Sequence, residues 1–281
     1  MIILPAISTC FKKQIILNID SESTKEALSL NKVEVFPVIC LPIIRKGDDL
    51  ALLICQAAEK QGTNIQNGDI IVITHVVVSR AEGNVVNLET VTPSEFANTI
   101  AKTTHKDPRL VEVILRESKS IVRMSNGKLI TETKQGLVCA NSGIDQSNVP
   151  ENNVVALLPE DADKSARTLR QNVLKISGKD VAIIVSDTHG RPLRQGEINI
   201  ALGTSGFEPL RDRRGEKDLF GYTIRIKRTA IADELASAAE LVIGQTNEGI
   251  PVAIIRGYQY PKSETASATK MIRPPEEDLF I

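Results

Sequence analysis

The run Val181-Ala182-Ile183-Ile184-Val185 constrains this chain more than any other stretch. Five consecutive apolar residues, mostly β-branched, follow Gly178 and end at Ser186-Asp187-Thr188. Such a run fits a strand buried on both faces. The strand brings Asp187 and Thr188 to its carboxyl end, and Gly190 and Pro192 then force a turn. A carboxylate beside a hydroxyl suits a hard cation, which takes oxygen ligands. Arg191 and Arg194 in the turn add planar forks that suit phosphate or carboxylate. The same residues equally suit a solvated strand end with ordinary turn chemistry. This stretch alone leaves both readings open.

At 281 residues the chain allows one large domain or two modest ones. Lys+Arg 34 against Asp+Glu 35 gives a formal net charge of -1, so nothing points to bulk nucleic acid or anionic membrane. With 3% aromatics and no Trp, the sequence offers little for base-stacking platforms, and the core must be aliphatic. Cys10, Cys40, Cys55 and Cys139 are scattered without C-x-x-C spacing. Apolar neighbours around three of them predict buried thiols in a reducing cytosol. No apolar run approaches the roughly 20 residues of a membrane helix. Pro5 interrupts the apolar start and Lys12-Lys13 follow it, the wrong order for a signal peptide. The expected location is the cytoplasm.

Residues 1–32 read as an extension without evident chemistry, ahead of a main region over 33–281. Val33–Val38 alternates as a strand, and Leu41-Pro42-Ile43-Ile44 continues it at an edge or out of the sheet because of Pro42. A helix over about Leu50–Gln61 is capped by Asp48 or Asp49, with Gly62 at its end. Asp69–Ser79 reads as a long central strand ending in a turn at Arg80–Gly83. Thr92-Pro93-Ser94-Glu95 reads as a capping box. Asp107-Pro108 starts a helix with a stripe of Leu110, Val111, Ile114, Leu115, Ile121 and Val122. Strands are expected at Leu137–Ala140 and Val154–Leu158, and a helix at Ala162–Ile176. Ile198–Leu202 leads to a flexible turn at Gly203–Gly206, and Arg211–Asp218 is a charged loop. Tyr222–Arg228 alternates as an amphipathic strand, then come a helix at Asp233–Ile243 and a strand at Val252–Ile255. Without regular βαβ alternation, the fold class is α+β.

There is no G-x-x-x-x-G-K-S/T loop, no G-x-G-x-x-G after a strand and no G-x-S-x-G elbow. His75, His105 and His189 are too far apart for a local zinc motif and read as surface or hydrogen-bonding histidines. Three polar, Gly-punctuated loops remain: Asn141–Asn148, Asp187–Arg194 and Gly244–Gly249. They offer Asp145, Asp187, Thr188 and Gln245 as oxygen ligands, which is hard-metal chemistry. Composition by itself stops at Mg- or Mn-dependent phosphate chemistry.

At these loops the chain resembles the coenzyme F420-0:L-glutamate (gamma-glutamyl) ligases. The matching pieces are Leu41-Pro42-Ile43-Ile44, Gly47-Asp48-Asp49-Leu50, and Val78-Ser79-Arg80-Ala81-Glu82-Gly83. Asn141-Ser142-Gly143-Ile144-Asp145, Ser147-Asn148-Val149, Ser186-Asp187-Thr188 and Gly190-Arg191-Pro192 follow in order. Asp233-Glu234-Leu235-Ala236, Gly249-Ile250-Pro251-Val252, Arg273-Pro274 and Asp278-Leu279-Phe280 complete the series. No piece decides alone, but the ordered series is specific.

The resemblance implies a two-lobed α+β fold, an intertwined homodimer and GTP-driven addition of L-glutamate to coenzyme F420-0 with Mg or Mn and potassium. It implies Asp145 and Asp187 as ligands of one metal, and Thr188 and Gln245 of a second. It implies GTP contacts at Leu41, Pro42, Ile43 and Ile44, at His75, Arg80 and Asn148, and along Ile243, Gly244, Gln245, Thr246, Asn247, Glu248, Gly249 and Ile250. The family usually carries Ser where this chain has His75 and Lys where it has Arg80. No reductase-like region follows, so a free-standing ligase is expected. Residue chemistry alone adds Arg191 and Arg194 as groups that steady an acyl phosphate or the glutamate carboxylates. Rival readings are a GTP-dependent glutamate ligase with another carboxylate acceptor, and a non-catalytic nucleotide sensor.

Overall fold

A computed structural model describes residues 32–277 apart from Asn126, Pro150 and Glu151. The expected N-terminal extension, save Lys32, and the Asp278-Leu279-Phe280 match lie outside the described residues. In chain order the elements begin β1 (Glu34–Pro37), α1 (Leu50–Lys60), β2 (Ile70–Thr74), α2 (His75–Glu82) and β3 (Val85–Asn87). They continue with α3 (Glu95–Thr104), α4 (Pro108–Arg116), β4 (Ser118–Ser125), β5 (Lys128–Thr133), β6 (Val138–Ala140) and β7 (Val154–Ala156). Then come α5 (Ala162–Ser177), β8 (Ala182–Gly190), β9 (Glu197–Phe207), β10 (Leu210–Asp212) and β11 (Arg228–Ala230). The series ends with α6 (Ile231–Ile243), β12 (Val252–Arg256) and β13 (Lys262–Ser263), and short 3₁₀ turns join several of these.

The main sheet runs β1-β12-β2-β8-β9-β13. Only β2 and β8 pair in parallel; the other neighbours are antiparallel. This mixed sheet matches the α+β expectation. The two central strands alternate their side chains between two cores. Ile71, Ile73, Ile183 and Val185 pack with residues of α1 and α5 on one face. Ile70, Val72, Ala182 and Ile184 pack with α6 on the other. Full burial of each such aliphatic side chain contributes about 1.5–3 kcal/mol, so helices on both faces are what this apolar run demands. A third core joins α3 and α4 to Leu129 of β5 and Val155 of β7, beside the separate sheet β4-β5-β6.

Helix ends follow local chemistry. Asp49 Oδ1 accepts the Leu52 N–H at 3.1 Å to start α1, and Gly62 just beyond it has φ 79°. Asp107 caps α4 with Pro108 in its first turn.

Several elements depart from the sequence expectation. The strand read over Asp69–Ser79 stops at Thr74, and His75–Glu82 is a helix. A continuous apolar run carries no period to separate strand from buried helix. Val76, Val78, Ser79 and Arg80 are all buried there, so tertiary packing overrides the β-branched preference. The cap of α3 is Ser94, accepting the Ala97 N–H at 3.1 Å, two residues after the proposed Thr92. Ile121 and Val122 fall in β4, because α4 ends at Arg116. Gly203–Gly206 is no turn but part of the unbroken β9. An ideal Cβ on Gly203 would lie 2.2 Å from the Ala162 backbone, so this glycine permits close packing of β9 on α5. Of Tyr222–Arg228 only Arg228 lies in a named strand; the rest bonds to Arg213–Asp218, as from the Ile224 N–H to the Glu216 carbonyl at 2.9 Å, in an irregular hairpin with one bridge at Lys217↔Thr223, and Ile226 is 90% exposed. Leu41–Ile44 leaves the sheet, while β1 stays at the edge that Pro37 suits. Of the thiols, Cys139 is buried, Cys55 half-buried and Cys40 exposed, so the expectation of buried cysteines fails at Cys40. Cys10 lies outside the described residues.

Candidate active site

Strand directions explain where the polar loops meet. β2 and β8 are parallel, so their carboxyl ends lie at the same end of the sheet. β1 also finishes there, and the antiparallel β12 starts there. Leu41–Ile44 after β1, His75 after β2, Asp187-Thr188 on β8 and Gly244–Gly249 before β12 therefore gather at one place. A crevice outside the carboxyl ends of parallel strands is where open sheets bind ligands. Here it is a cleft of about 420 Å³, within the usual range for a ligand pocket.

The last β2–β8 pair is Thr74↔Ser186. Beyond it β2 turns into α2, while β8 runs on to Gly190 with only β9 beside it. A register shift between Val185 and Ser186 marks the change. The side vacated by β2 is taken by His75, which is 2% exposed. Its Nε2 lies 3.2 Å from Asp187 Oδ1. The same oxygen accepts the Thr188 N–H at 2.7 Å. Burial pushes the His75 imidazole down, but the Asp187 carboxylate against it, with Asp145 further off, more than offsets this. The net direction is up from its ordinary value. His75 Nδ1 is buried without a hydrogen-bond partner.

Asp145 arrives from the β6–β7 connection, held by reciprocal backbone bonds to Ala156 at 2.9 and 2.8 Å. Its Oδ1 accepts the Ser147 N–H at 2.6 Å. Asn148 follows in a left-handed conformation, φ 53°. His189 links this region to β8, with Nε2 at 2.9 Å from the Val138 carbonyl. That meets the hydrogen-bonding reading for His189. His75 is buried in the cleft, and His105 ends α3 in a left-handed conformation.

A second polar cluster adjoins. Thr188 Oγ1 lies 3.0 Å from Asn199 Oδ1 and 2.9 Å from Gln245 Oε1. One hydroxyl proton cannot serve both oxygens, so this oxygen-rich set suits a hard cation. Gln245 Nε2 donates to Glu240 Oε1, and Glu240 Oε2 accepts the Asn199 N–H at 3.2 Å. Among the described residues no three His, Cys, Asp or Glu side chains form a ready-made metal cage. A divalent ion here would draw on Asp, Thr and Gln oxygens and complete its shell with phosphate and water oxygens, as Mg²⁺ commonly does.

Arg80 is buried, and its Nε donates to the Ile44 carbonyl at 2.8 Å, tying α2 to the Leu41–Ile44 segment. Gly244 at the end of α6 has φ 76°, and a Cβ there would lie 2.2 Å from Glu248 Cδ, so the loop requires glycine. The Thr246 N–H donates to Glu248 at 2.8 Å and helps hold that carboxyl below its usual range.

All the residues expected at the metals and the nucleotide line the cleft, except Asn247. Arg191 and Arg194 do not line it. The Arg191 guanidinium instead donates to the Gly196 carbonyl at 3.2 Å and the Gln195 carbonyl at 2.6 Å, bracing its own turn. Sequence reasoning missed Asn199 and Glu240. Asn199 carried a signal: a polar residue inside the apolar Ile198–Leu202 run must find partners if buried, and it is buried. Glu240 carried none, because its role depends on where α6 ends.

Comparison with known proteins agrees with this arrangement. The family model described as F420-0:Gamma-glutamyl ligase matches residues 38–257. A Methanopyrus kandleri protein named Coenzyme F420:L-glutamate ligase is 48% identical over 241 residues, covering 84% of this chain and 93% of that relative. Proteins of the same name from Methanothermobacter thermautotrophicus and Methanocaldococcus jannaschii are 45% and 46% identical. They cover 85% and 89% of this chain and 95% and 97% of their own lengths. With its loops, cleft and sequence in agreement, the chain belongs to the F420-0:gamma-glutamyl ligase family.

Proposed function

We propose that this protein joins the amine of L-glutamate to the carboxylate of coenzyme F420-0 as an amide and extends a gamma-linked glutamate tail, driven by GTP, in coenzyme F420 biosynthesis. The observation that carries this reading is the convergence of Asp145, Asp187, Thr188 and Gln245 on one cleft floored by the ends of β2 and β8. The names of the relatives support the acceptor and the amino acid.

A carboxylate does not accept an amine unaided, because oxide is too poor a leaving group. In the proposed course an acceptor carboxylate oxygen attacks the γ-phosphorus of GTP and GDP departs, leaving an acyl phosphate. The glutamate amine then attacks the acyl carbon, phosphate leaves with the former carboxylate oxygen, and the amine gives up a proton. Asp145 and Asp187 would hold one Mg²⁺ or Mn²⁺ and Thr188 and Gln245 a second, with Asn199 and Glu240 behind them. Such ions, with potassium as a helper, supply neutralisation of charge on the phosphate oxygens. Leu41–Ile44, His75, Arg80, Asn148 and Ile243–Ile250 would enclose the nucleotide. Arg191 and Arg194, outside the cleft, are left with the carboxylates of acceptor or glutamate approaching from the turn. The working form is a cytoplasmic homodimer with two lobes per chain.

Mass spectrometry of the protein with F420-0, L-glutamate and Mn²⁺ compares GTP with ATP. Products heavier by glutamyl units with GTP only are expected. Equal product with ATP removes the nucleotide assignment, and no product with either removes the acceptor.

A further inference from the structure

We infer that His75 is a positioning residue that orients the Asp187 carboxylate for a divalent cation; this rests on the reading of Asp187 as a metal ligand. A carboxylate at the end of a strand can rotate about its side-chain torsions. Two contacts converge on one of its oxygens. The Thr188 N–H reaches Oδ1 at 2.7 Å and His75 Nε2 approaches it to 3.2 Å. With Oδ1 held from two sides, rotation of the Asp187 carboxylate is restricted. Hydrogen-bonded supports behind a metal ligand typically contribute 10–100-fold in metal affinity.

The placement of His75 suits this role, beside the place it takes in the cleft lining. It is the first residue of α2, locked by the Thr74↔Ser186 pairing immediately before it. It is 2% exposed, so it presents almost no surface to solvent. Its Nδ1 is buried without a hydrogen-bond partner, and Asp187 is the charged group in contact with the imidazole, with the Leu157 backbone also acting on it, in exchange for its lost hydration. A side chain serving only to fill volume would be better as an aliphatic of the same size.

Mn²⁺ titration followed by electron paramagnetic resonance, on the full chain without nucleotide, tests this. His75→Gln keeps a donor of similar reach, and His75→Met keeps length without a donor. Circular dichroism first establishes that both fold as the unmodified protein does. The expected result is Mn²⁺ affinity reduced about 10–100-fold in His75→Met and within about threefold of the unmodified protein in His75→Gln. Unchanged affinity in His75→Met, or equal losses in both variants, overturns the inference. Asp187→Ala separates the two levels. If it binds Mn²⁺ normally, the metal reading itself fails. If it loses binding while His75→Met does not, only the positioning role fails.

Discussion

The two halves of β8 stand in different surroundings. Ala182–Val185 lies between β2 and β9, fully buried, with one core on each face. Asp187–Gly190 continues the same strand but keeps only β9, because β2 has turned into α2. The first half has both hydrogen-bonding edges and both faces satisfied, so its residues contribute stability. In the second half Asp187 and Thr188 line the cleft, while His189 reaches the Val138 carbonyl of β6. A strand that outruns its neighbour thus fixes cleft residues to the fully buried centre of the sheet. Preorganised groups on rigid elements are what charge stabilisation in a reaction requires.

That contrast predicts separable losses. Asp187→Ala should give the largest functional effect, a turnover loss beyond the roughly 10–100-fold typical of a residue behind a metal ligand, with urea unfolding little changed. Cooperative unfolding of that variant under native conditions would break the division between scaffold and site. Ile184→Ala, three residues back in the core half, should cost about 2–5 kcal/mol in urea unfolding. Its kcat per folded molecule should hold near that of the unmodified protein; a matching fall in kcat would show that the halves are coupled. Gly203, paired with Val185, probes the same core half from β9. Gly203→Ala should destabilise by about 1–3 kcal/mol through overpacking on Ala162, whereas a neutral result would restore the flexible-turn reading. Arg191→Ala should have the smallest effect, less than about tenfold in kcat/KM, since its guanidinium braces the turn beyond Gly190. A larger drop would extend the reacting region past the end of β8.

Much of this was legible in the residues. The run Val181–Val185 specified a strand buried on both faces, since that many consecutive β-branched and apolar side chains can be covered only from two sides. Asp49, Asp107 and Gly62 marked helix ends because capping is local chemistry within four residues. The loops carrying Asp145, Asp187 and Gln245 stood out as polar segments after apolar ones. Other readings failed where the deciding contact was remote. His75–Glu82 reads as strand, yet it is helix because residues such as Ile44 and Leu157 surround it and accept its side-chain hydrogen bonds. Tyr222–Lys227 has the alternation of a strand and bonds to Arg213–Asp218, but as an irregular hairpin with a single bridge, because its exposed Ile226 has no core to fix a register.

Sequence by itself therefore determined the central strand, the caps at Asp49 and Asp107, the polar loops that meet at the cleft and, through their order, the family. Tertiary structure alone decided that β2 stops one pair before Asp187, that His75 occupies the vacated space, and that Asn199 and Glu240 stand behind Thr188 and Gln245. The physical reason is range. Caps and buried runs are fixed by neighbours along the chain, whereas a cleft is fixed by which strand ends where, and that depends on residues more than a hundred positions apart, as in the Thr74↔Ser186 pair.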